Sequence, residues 1–188
     1  MIPALILAGG AARRMGGIDK PMLLLAGQSL LAHLIARLSP DHPHLAISAN
    51  GDPARFALPY PILPDPIQGQ GPLGGVLAGL EWAAALGATT LLTVPGDTPL
   101  IPVGLASRLA PAPAAAESGG QRHHLVALWP VAAGPLLRAW LLHPGTRSVR
   151  AFAETVPMRS VWFPGDPFAN INTPADLAAL EARVQAGT

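Results

Sequence analysis

The stretch IPALILAGGAARRMGGIDK, residues 2–20, decides how the chain begins to fold. Its first part, Ile2 to Leu7, is a short apolar run that stops at two glycines, which is typical of a fully buried parallel strand entering a glycine-rich turn. The remainder, residues 8–20, contains four glycines, two arginines, Asp19 and Lys20, and is predicted to be a loop. A buried strand that ends in such a loop is the usual opening of an α/β unit.

Strand patterns alternate with helix patterns along the rest of the chain. Strands are predicted at 45–48, 62–63, 89–94, 125–129 and 158–163. Helices are predicted at 30–38 (capped by Ser29), 73–86, 102–109, 134–142, 148–155 and from 174 onward. Residues 110–120, rich in Ala, Pro, Gly and Ser, are predicted to be a mobile surface loop. The alternation predicts one α/β domain over residues 1–188, with a mostly parallel sheet and helices on both faces.

Composition excludes several classes of protein. Half of the 188 residues are hydrophobic and only 12% are charged, which excludes a disordered chain. The formal net charge of +1 argues against a nucleic-acid partner, and the absence of cysteine excludes disulfides and thiolate metal sites. Of the twelve basic residues, eleven are arginine, and the single lysine is Lys20.

The mean hydropathy of +0.37 raises the question of a membrane segment. The apolar stretches are interrupted, however; residues 82–94, for example, run into Pro95-Gly96-Asp97. Arg13 and Arg14 follow the apolar N-terminal residues instead of preceding them, which is the wrong order for a signal peptide. The sequence therefore predicts a cytoplasmic protein with no membrane partner.

Polar features follow four of the predicted strands, namely the glycine loop, Asn50, Asp65 and Asp97. In doubly wound α/β folds, ligands bind beyond the carboxyl ends of the strands. Glycine N–H groups together with arginine and lysine side chains favour a phosphate site in the loop, although a tight turn with solvated charges is the alternative. Asp97 could hold Mg²⁺, or it could cap the following helix.

Two other patterns are weaker. Residues 69–74 match G-x-G-x-x-G, but they follow Asp65-Pro66 and not a clear strand, so a dinucleotide site is disfavoured. Two pairs of histidines, His42 with His44 and His123 with His124, lack a third metal ligand at a suitable spacing. We therefore expect these histidines to be surface residues and not a metal site.

Four motifs together resemble the MobA family of molybdenum cofactor guanylyltransferases, in the nucleotidyltransferase superfamily. They are LAGG at 7–10 with RMG at 14–16 and DK at 19–20, GPLGG at 71–75, PGDTP at 95–99, and FANINTP at 168–174. The resemblance spans residues 5–177. It implies a Rossmann-like three-layer α/β sandwich of nucleotidyltransferase type. It also implies Mg²⁺-dependent transfer of GMP from GTP to the terminal phosphate of Mo-molybdopterin, with release of pyrophosphate.

The resemblance also implies roles for individual residues. Leu7, Ala8 and Gly9 would contact GTP through their backbone, and Asn50 and Asp65 would complete its pocket. The catalytic set would be Lys20 on the phosphates, Arg14, and Asp97, which would bind both Mg²⁺ and the nucleotide. Asn170 and Asn172 would lie on the molybdopterin side. A monomer in transient contact with molybdenum cofactor delivery proteins is expected.

Some alternatives stay open at this point. Residues 121–125 and 146–152 match the family only loosely, so Arg147 and Arg150 are either molybdopterin contacts or an exposed helix edge. Rival functions are a molybdopterin cytidylyltransferase, another small-molecule nucleotidyltransferase such as a sugar-1-phosphate enzyme, and a nucleotide-binding regulator without turnover.

Overall fold

The computed structural model describes residues 1–9, 20–145 and 147–185. The strands are β1 (Ala4–Leu7), β2 (Leu24–Leu25), β3 (Gln28–Ser29), β4 (Leu45–Ser48), β5 (Ile62–Leu63), β6 (Thr90–Pro95), β7 (Ala114–Ser118), β8 (Gln121–Pro130) and β9 (Arg159–Trp162). The helices are α1 (Leu30–Leu38), α2 (Pro72–Ala85), α3 (Leu105–Leu109), α4 (Ala133–Leu142), α5 (Val149–Ala153) and α6 (Pro174–Gln185).

Seven of the described strands form one sheet, in the order β5-β4-β1-β6-β8-β7-β9. Strand β8 is antiparallel to both of its neighbours, whereas the pairs β1–β4, β1–β6, β4–β5 and β7–β9 are parallel. The predicted mostly parallel sheet is therefore confirmed. Because β1, β4, β5 and β6 run in one direction, their carboxyl ends share one edge, where the candidate site residues lie.

Helices cover both faces of this sheet. On one face, Leu31 and Leu34 of α1 and Leu105 of α3 belong to a buried cluster that includes Ile6 of β1. On the other face, Leu77 of α2, Leu137 of α4 and Phe152 of α5 belong to a second cluster that includes Leu5. The alternation of Leu5 and Ile6 between the two clusters follows from the two-residue period of a strand. The three-layer α/β sandwich is thus confirmed.

A third, smaller cluster attaches α6 to the short hairpin of β2 and β3. Leu180 of α6 and Ile171 pack against Leu25 and Leu30, and each of the four is at most 3% exposed. The contact holds the segment before α6 close to the 3₁₀ turn Lys20–Met22, which precedes the hairpin and whose Lys20 donates to Asn172. Residues near the two ends of the chain are therefore adjacent in space.

The predicted surface loop at 110–120 is wrong in its second half. Residues Ala114–Ser118 form β7, which pairs with β8 and β9, and the side chains of its three alanines are fully buried. Gly119 and Gly120 join β7 to β8 with positive φ values of 56° and 74°, which suit a two-residue hairpin turn. The compositional signal failed because small alanine side chains fit a strand that is buried between two others.

No described helix combines the length and the apolar composition that crossing a lipid bilayer requires.

Candidate functional site

The edge formed by the ends of β1 and β6 surrounds a cavity of about 210 Å³. Its lining residues are Leu7, Ala8, Gly9, Lys20, Pro21, Pro72, Pro95, Gly96, Asp97 and Leu125. The two strand ends are joined because the Gly96 amide donates to the Leu7 carbonyl at 3.0 Å. A Cβ at Gly96 would lie only 3.1 Å from that carbonyl oxygen, so the close approach favours glycine.

A tight turn presents Asp97 at this edge. Thr98 is only 1% exposed, and its hydroxyl donates to the Pro95 carbonyl at 2.8 Å. The Ile171 amide donates to the Asp97 carbonyl at 3.1 Å. Both bonds fix the backbone of Asp97, whose side chain remains 23% exposed and open to a ligand.

The Lys20 ammonium lies between two oxygen atoms from distant parts of the chain. Its Nζ donates to Asn172 Oδ1 at 2.6 Å and to Asp97 Oδ2 at 3.3 Å. The Lys20 side chain is 20% exposed, which leaves its remaining donor capacity accessible from the cavity. The site therefore concentrates one cation and one carboxylate beside the glycine-containing end of β1.

Asn172 belongs to the segment that starts α6. The Asp176 carboxylate accepts hydrogen bonds from the backbone amides of Asn172 and Thr173, both at 2.8 Å. Thr173 Oγ1 in turn accepts from the Asp176 amide at 3.1 Å. The bonds from Asn172 and Thr173 lower the pKa of Asp176, because they stabilise its ionised form.

Asn50 and Asp65 form a pair at the ends of β4 and β5. Asn50 Nδ2 donates to Asp65 Oδ2 at 2.8 Å, and the Asp65 amide donates to Asn50 Oδ1 at 2.9 Å. Burial raises the pKa of Asp65, and the bond from Asn50 opposes this shift. A Cβ at Gly74 would lie 2.8 Å from the Asp65 carboxyl carbon, so the first turn of α2 packs directly on this carboxylate.

The G-x-G-x-x-G match at 69–74 does not form a strand-to-helix turn directly after β5. Eight residues, Pro64 to Gly71, lie between the end of β5 and the start of α2. Gly71 is the N-cap of α2, with a positive φ of 59°, and Pro72 is its first residue and lines the 210 Å³ cavity. The expectation that this match is no dinucleotide fingerprint agrees with this geometry.

A second, larger cavity of about 740 Å³ adjoins the first, and the two share Pro95 and Leu125 in their walls. Its polar lining includes Arg122, His123, His124, Ser148, Arg150 and Asn170. Nδ1 of His124 is buried and has no hydrogen-bond partner among the described residues.

Both histidines of this cavity have lowered pKa values. Burial is the main cause for each; for His124, the positive charges of Arg122 and Arg150 lower the pKa further, while Glu154 raises it. Ser118 Oγ and His123 Nε2 are 2.8 Å apart and hydrogen-bonded. The hairpin of β7 and β8 places His123 and His124, which are partly buried, in the wall of this open cavity. The predicted surface position is wrong for His42, which is 5% exposed and has its Nδ1 2.7 Å from the Ile2 carbonyl oxygen.

The structure brings most of the predicted site residues together. Leu7, Ala8, Gly9, Lys20 and Asp97 line the smaller cavity, while Asn50 and Asp65 form the neighbouring pair. The two asparagines separate: Asn170 lines the larger cavity, whereas Asn172 binds Lys20. Arg14 lies outside the described residues, as does the rest of the loop at 10–19.

Sequence reasoning missed several lining residues. Pro21 and Leu125 carry no chemical signal that a motif search could find. The Gly119-Gly120 turn was a usable signal, because two glycines between strands predict a hairpin and would have placed His123 and His124 on a strand.

Among the described residues, no group of three or more histidine, cysteine, aspartate or glutamate side chains could hold a metal by itself. Mg²⁺ is often bound by one or two carboxylates together with water and substrate phosphates. Asp97, with its partly exposed carboxylate, fits a metal that arrives with a nucleotide. The residues do not fit a metal site that is complete without substrate.

Comparison with known proteins identifies the family. The model of the MobA-like NTP transferase domain matches residues 4–157. This chain belongs to the MobA-like NTP transferase family. A relative from Acidiphilium cryptum named molybdenum cofactor guanylyltransferase is 55% identical over 95% of this chain and 93% of its own length. Another of the same name, from Cereibacter sphaeroides, is 51% identical over 95% of this chain and 94% of its length.

Solved structures share the fold of this MobA-like chain. Molybdopterin-guanine dinucleotide biosynthesis protein A from Archaeoglobus fulgidus superposes with a TM-score of 0.77 at 19% identity, covering 98% of this chain and 100% of its own. The 2-C-methyl-D-erythritol 4-phosphate cytidylyltransferase from Thermus thermophilus superposes with a TM-score of 0.66 at 17% identity, covering 98% and 100%. At these identities, the superpositions establish a nucleotidyltransferase fold and not a choice of base.

Proposed function

We propose that this chain transfers GMP from GTP to the terminal phosphate of Mo-molybdopterin and releases pyrophosphate. The names of its relatives at 44–55% identity support guanylyl transfer in molybdenum cofactor synthesis. One observation carries the assignment to this site: two cavities share a wall, and Lys20 and Asp97 line the smaller one. Such a geometry suits a reaction that joins two substrates.

The smaller cavity takes the nucleotide in this proposal. Leu7, Ala8 and Gly9 would contact GTP through their backbone, and Lys20 would bind its phosphates. Asn50 and Asp65 would complete the pocket beside α2. Arg14, outside the described residues, would add positive charge from the glycine loop.

The larger cavity takes the second substrate. Its basic groups, Arg122 and Arg150, suit a phosphorylated ligand, and Arg150 also binds Glu154 of the same lining at 2.9 Å. Asn170 lines the same space. Arg150 is therefore the molybdopterin contact that the cavity supports better, and Arg147, one residue from the lining Ser148, is the second candidate.

The reaction needs positioning and electrostatic stabilisation more than proton transfer. An oxygen of the terminal phosphate of molybdopterin attacks the α-phosphorus of GTP, and the bond from that phosphorus to the bridging oxygen of pyrophosphate breaks. The nucleophile is already an oxyanion at neutral pH, so it needs no general base. Lys20 compensates the negative charge that gathers on the phosphate oxygens and on the departing pyrophosphate.

Mg²⁺ is the metal proposed for Asp97. When bound with GTP, it would neutralise phosphate charge and orient the triphosphate. The role of the chain is to present one carboxylate whose backbone is held by the Pro95–Thr98 turn and by the Ile171 amide. Lys20 binds the same carboxylate at 3.3 Å, so the cation and the metal ligand act at one place.

The remaining expectations stay predictions. They are a single domain over residues 1–188, a monomer, a cytoplasmic location, transient contact with delivery proteins, and no nucleic-acid or membrane partner. The near-neutral charge supports the exclusion of nucleic acid.

The rival functions differ in what they do with nucleotides. A cytidylyltransferase would share this fold, as the Thermus thermophilus neighbour does. A nucleotide-binding regulator would bind without turnover.

One experiment separates these functions: the protein is incubated with Mo-molybdopterin and Mg²⁺, with either GTP or CTP, and the dinucleotide and pyrophosphate are quantified. Products from GTP support the proposal, products from CTP alone favour the cytidylyltransferase, and binding without products favours the regulator.

A further inference from the structure

A chain of hydrogen bonds leads from the first turn of α6 to the Lys20 ammonium. The Asp176 carboxylate accepts from the Asn172 amide, and Asn172 Oδ1 accepts from Lys20 Nζ. Asp176 does not contact Lys20 by any hydrogen bond in the described residues. The two charges also attract each other directly, and the hydrogen-bonded route between them runs through Asn172.

Part of this arrangement is an ordinary helix cap. Thr173 and Asp176 exchange hydrogen bonds in the manner of a capping box, in which the side chain of the third helical residue returns to the N-cap amide. The bond from the Asn172 amide goes beyond that pattern, because Asn172 precedes the N-cap. The same carboxylate oxygen thus holds a residue outside the helix.

Asn172 is fixed from its other side as well. The preceding residue, Ile171, is 1% exposed and donates its amide to the Asp97 carbonyl at 3.1 Å. The backbone of Asn172 is therefore held between Asp97 and Asp176. Two fixed points leave the side chain directed at Lys20 Nζ, 2.6 Å away.

We infer that Asp176 is a positioning residue for the reaction, which holds Asn172 so that Asn172 orients the Lys20 ammonium beside Asp97. The consequence for catalysis rests on the function proposed above; the effect on Lys20 does not. Without the carboxylate, the segment before α6 loses one of its two fixed points. Lys20 Nζ then exchanges among orientations that do not suit the phosphates.

The single lysine makes the orientation of Lys20 measurable in the free protein. Protein labelled with ¹⁵N at lysine Nζ gives one ammonium resonance, and the solvent exchange rate of its protons reports how well they are hydrogen-bonded. The variants are Asp176→Ala, Asp176→Asn, Asn172→Ala and the double alanine variant. Glu81→Ala is the control, because it removes a carboxylate that accepts from Arg138 at 2.6 Å on the surface formed by α2 and α4.

We expect faster exchange of the Lys20 ammonium protons in Asp176→Ala and in Asn172→Ala, with no change in Glu81→Ala. We also expect kcat to fall by about tenfold to a hundredfold in Asp176→Ala, the scale for misplacing a group by about 1 Å. Asp176→Asn, whose amide oxygen can accept the same two bonds, should recover most of the loss. In the Asn172→Ala background, Asp176→Ala should change kcat by less than about twofold, because the two residues act in series.

The inference is overturned if the exchange rate in Asp176→Ala equals that of the wild type, or if the losses from Asp176→Ala and Asn172→Ala multiply in the double variant. Faster exchange in a protein that transfers no GMP would instead leave the positioning intact and remove the proposed reaction. The two failures are thus distinguishable.

Discussion

Lys20 Nζ and Asn172 Oδ1 are 2.6 Å apart although 152 positions separate the two residues in the sequence. The contact joins the turn after the glycine loop to the segment that begins α6. It exists because Ile171 and Leu180 pack against the hairpin that follows Lys20. The end of the chain therefore completes a site that the start of the chain begins, and the following predictions depend on that closure.

Replacing Lys20 should remove most activity without unfolding the protein. We expect Lys20→Ala and Asp97→Ala each to lower GMP transfer by about 10²–10³-fold, the usual cost of one preorganised charge at a reacting centre. Lys20→Arg should also be strongly impaired, because a planar guanidinium cannot take the place of a compact ammonium between Asn172 and Asp97. Steady-state kinetics measure the loss, and thermal unfolding verifies the fold. Full activity in Lys20→Arg would show that the single lysine has no special role.

Asp65→Asn should stabilise the ligand-free protein while weakening GTP binding. Burial raises the pKa of Asp65 above its ordinary value of 3.8. At a pH just above 3.8, the folded state therefore binds more protons than the unfolded state. The stability of the protein consequently falls as the pH rises through this range and Asp65 ionises. A neutral amide avoids this cost at neutral pH, but it removes a carboxylate proposed to bind GTP. Thermal unfolding at pH 7 and calorimetric titration with GTP measure the two effects. A lower midpoint combined with unchanged GTP affinity would contradict the prediction.

The stability of the protein should decrease as the pH falls below about 6.5, the ordinary histidine pKa. Folding lowers the pKa values of His123 and His124. At a pH between these lowered pKa values and the ordinary value, the unfolded chain therefore binds more protons than the folded one, and stability falls as the pH falls. Chemical unfolding between about pH 5 and about pH 7.5 measures the slope. The double variant His123→Gln/His124→Gln should have a shallower slope than His143→Gln, which removes an exposed histidine at the end of α4. Equal slopes in both variants would refute the assignment to the cavity pair.

Gly79→Ala should destabilise the protein even though alanine favours helices. A Cβ at Gly79 would lie 2.9 Å from Cδ2 of Leu91 and would also overlap Leu5, and both leucines are fully buried in the core. Overpacking of a core costs about 1–3 kcal/mol. Over most of that range, this cost is larger than the gain of about 1 kcal/mol in helix propensity when alanine replaces glycine. Gly134→Ala in α4 is the matched control, because its Cβ would lie 3.6 Å from its nearest neighbour, Leu80. The prediction fails if urea unfolding gives Gly79→Ala at least the stability of Gly134→Ala.

Local patterns in the sequence predict much of the fold. The strand at Leu45–Ser48 and the helix Leu30–Leu38 with its Ser29 cap have the predicted bounds, because each combines apolar periodicity with a clear end signal. The direction of β8 could not be predicted from alternation alone, since it depends on the hairpin with β7. Strand β7 itself was missed because its alanines have low strand propensity, and only its neighbours in the sheet bury it.

The sequence predicted which residues belong to the candidate site, but it did not predict how they are arranged relative to one another. Motifs place Lys20, Asp97 and Asn172 at loop positions, and resemblance to a family gives each a partner. That Asn172 binds Lys20 while Asn170 lines the other cavity follows from the packing of α6, which no motif contains. The place of His123 and His124 in the wall of the larger cavity was also missed, because it depends on how β7 and β8 pair.

The most direct measurement uses GTP labelled at its α-phosphate, with Mo-molybdopterin and Mg²⁺, and follows the label in a single turnover. If Lys20 and Asp97 direct guanylyl transfer, the wild type places the label in the dinucleotide and releases one unlabelled pyrophosphate for each dinucleotide formed. Lys20→Ala does so about 10²–10³-fold more slowly. Label that remains in GTP or appears only in free GMP with the wild-type protein would contradict that function.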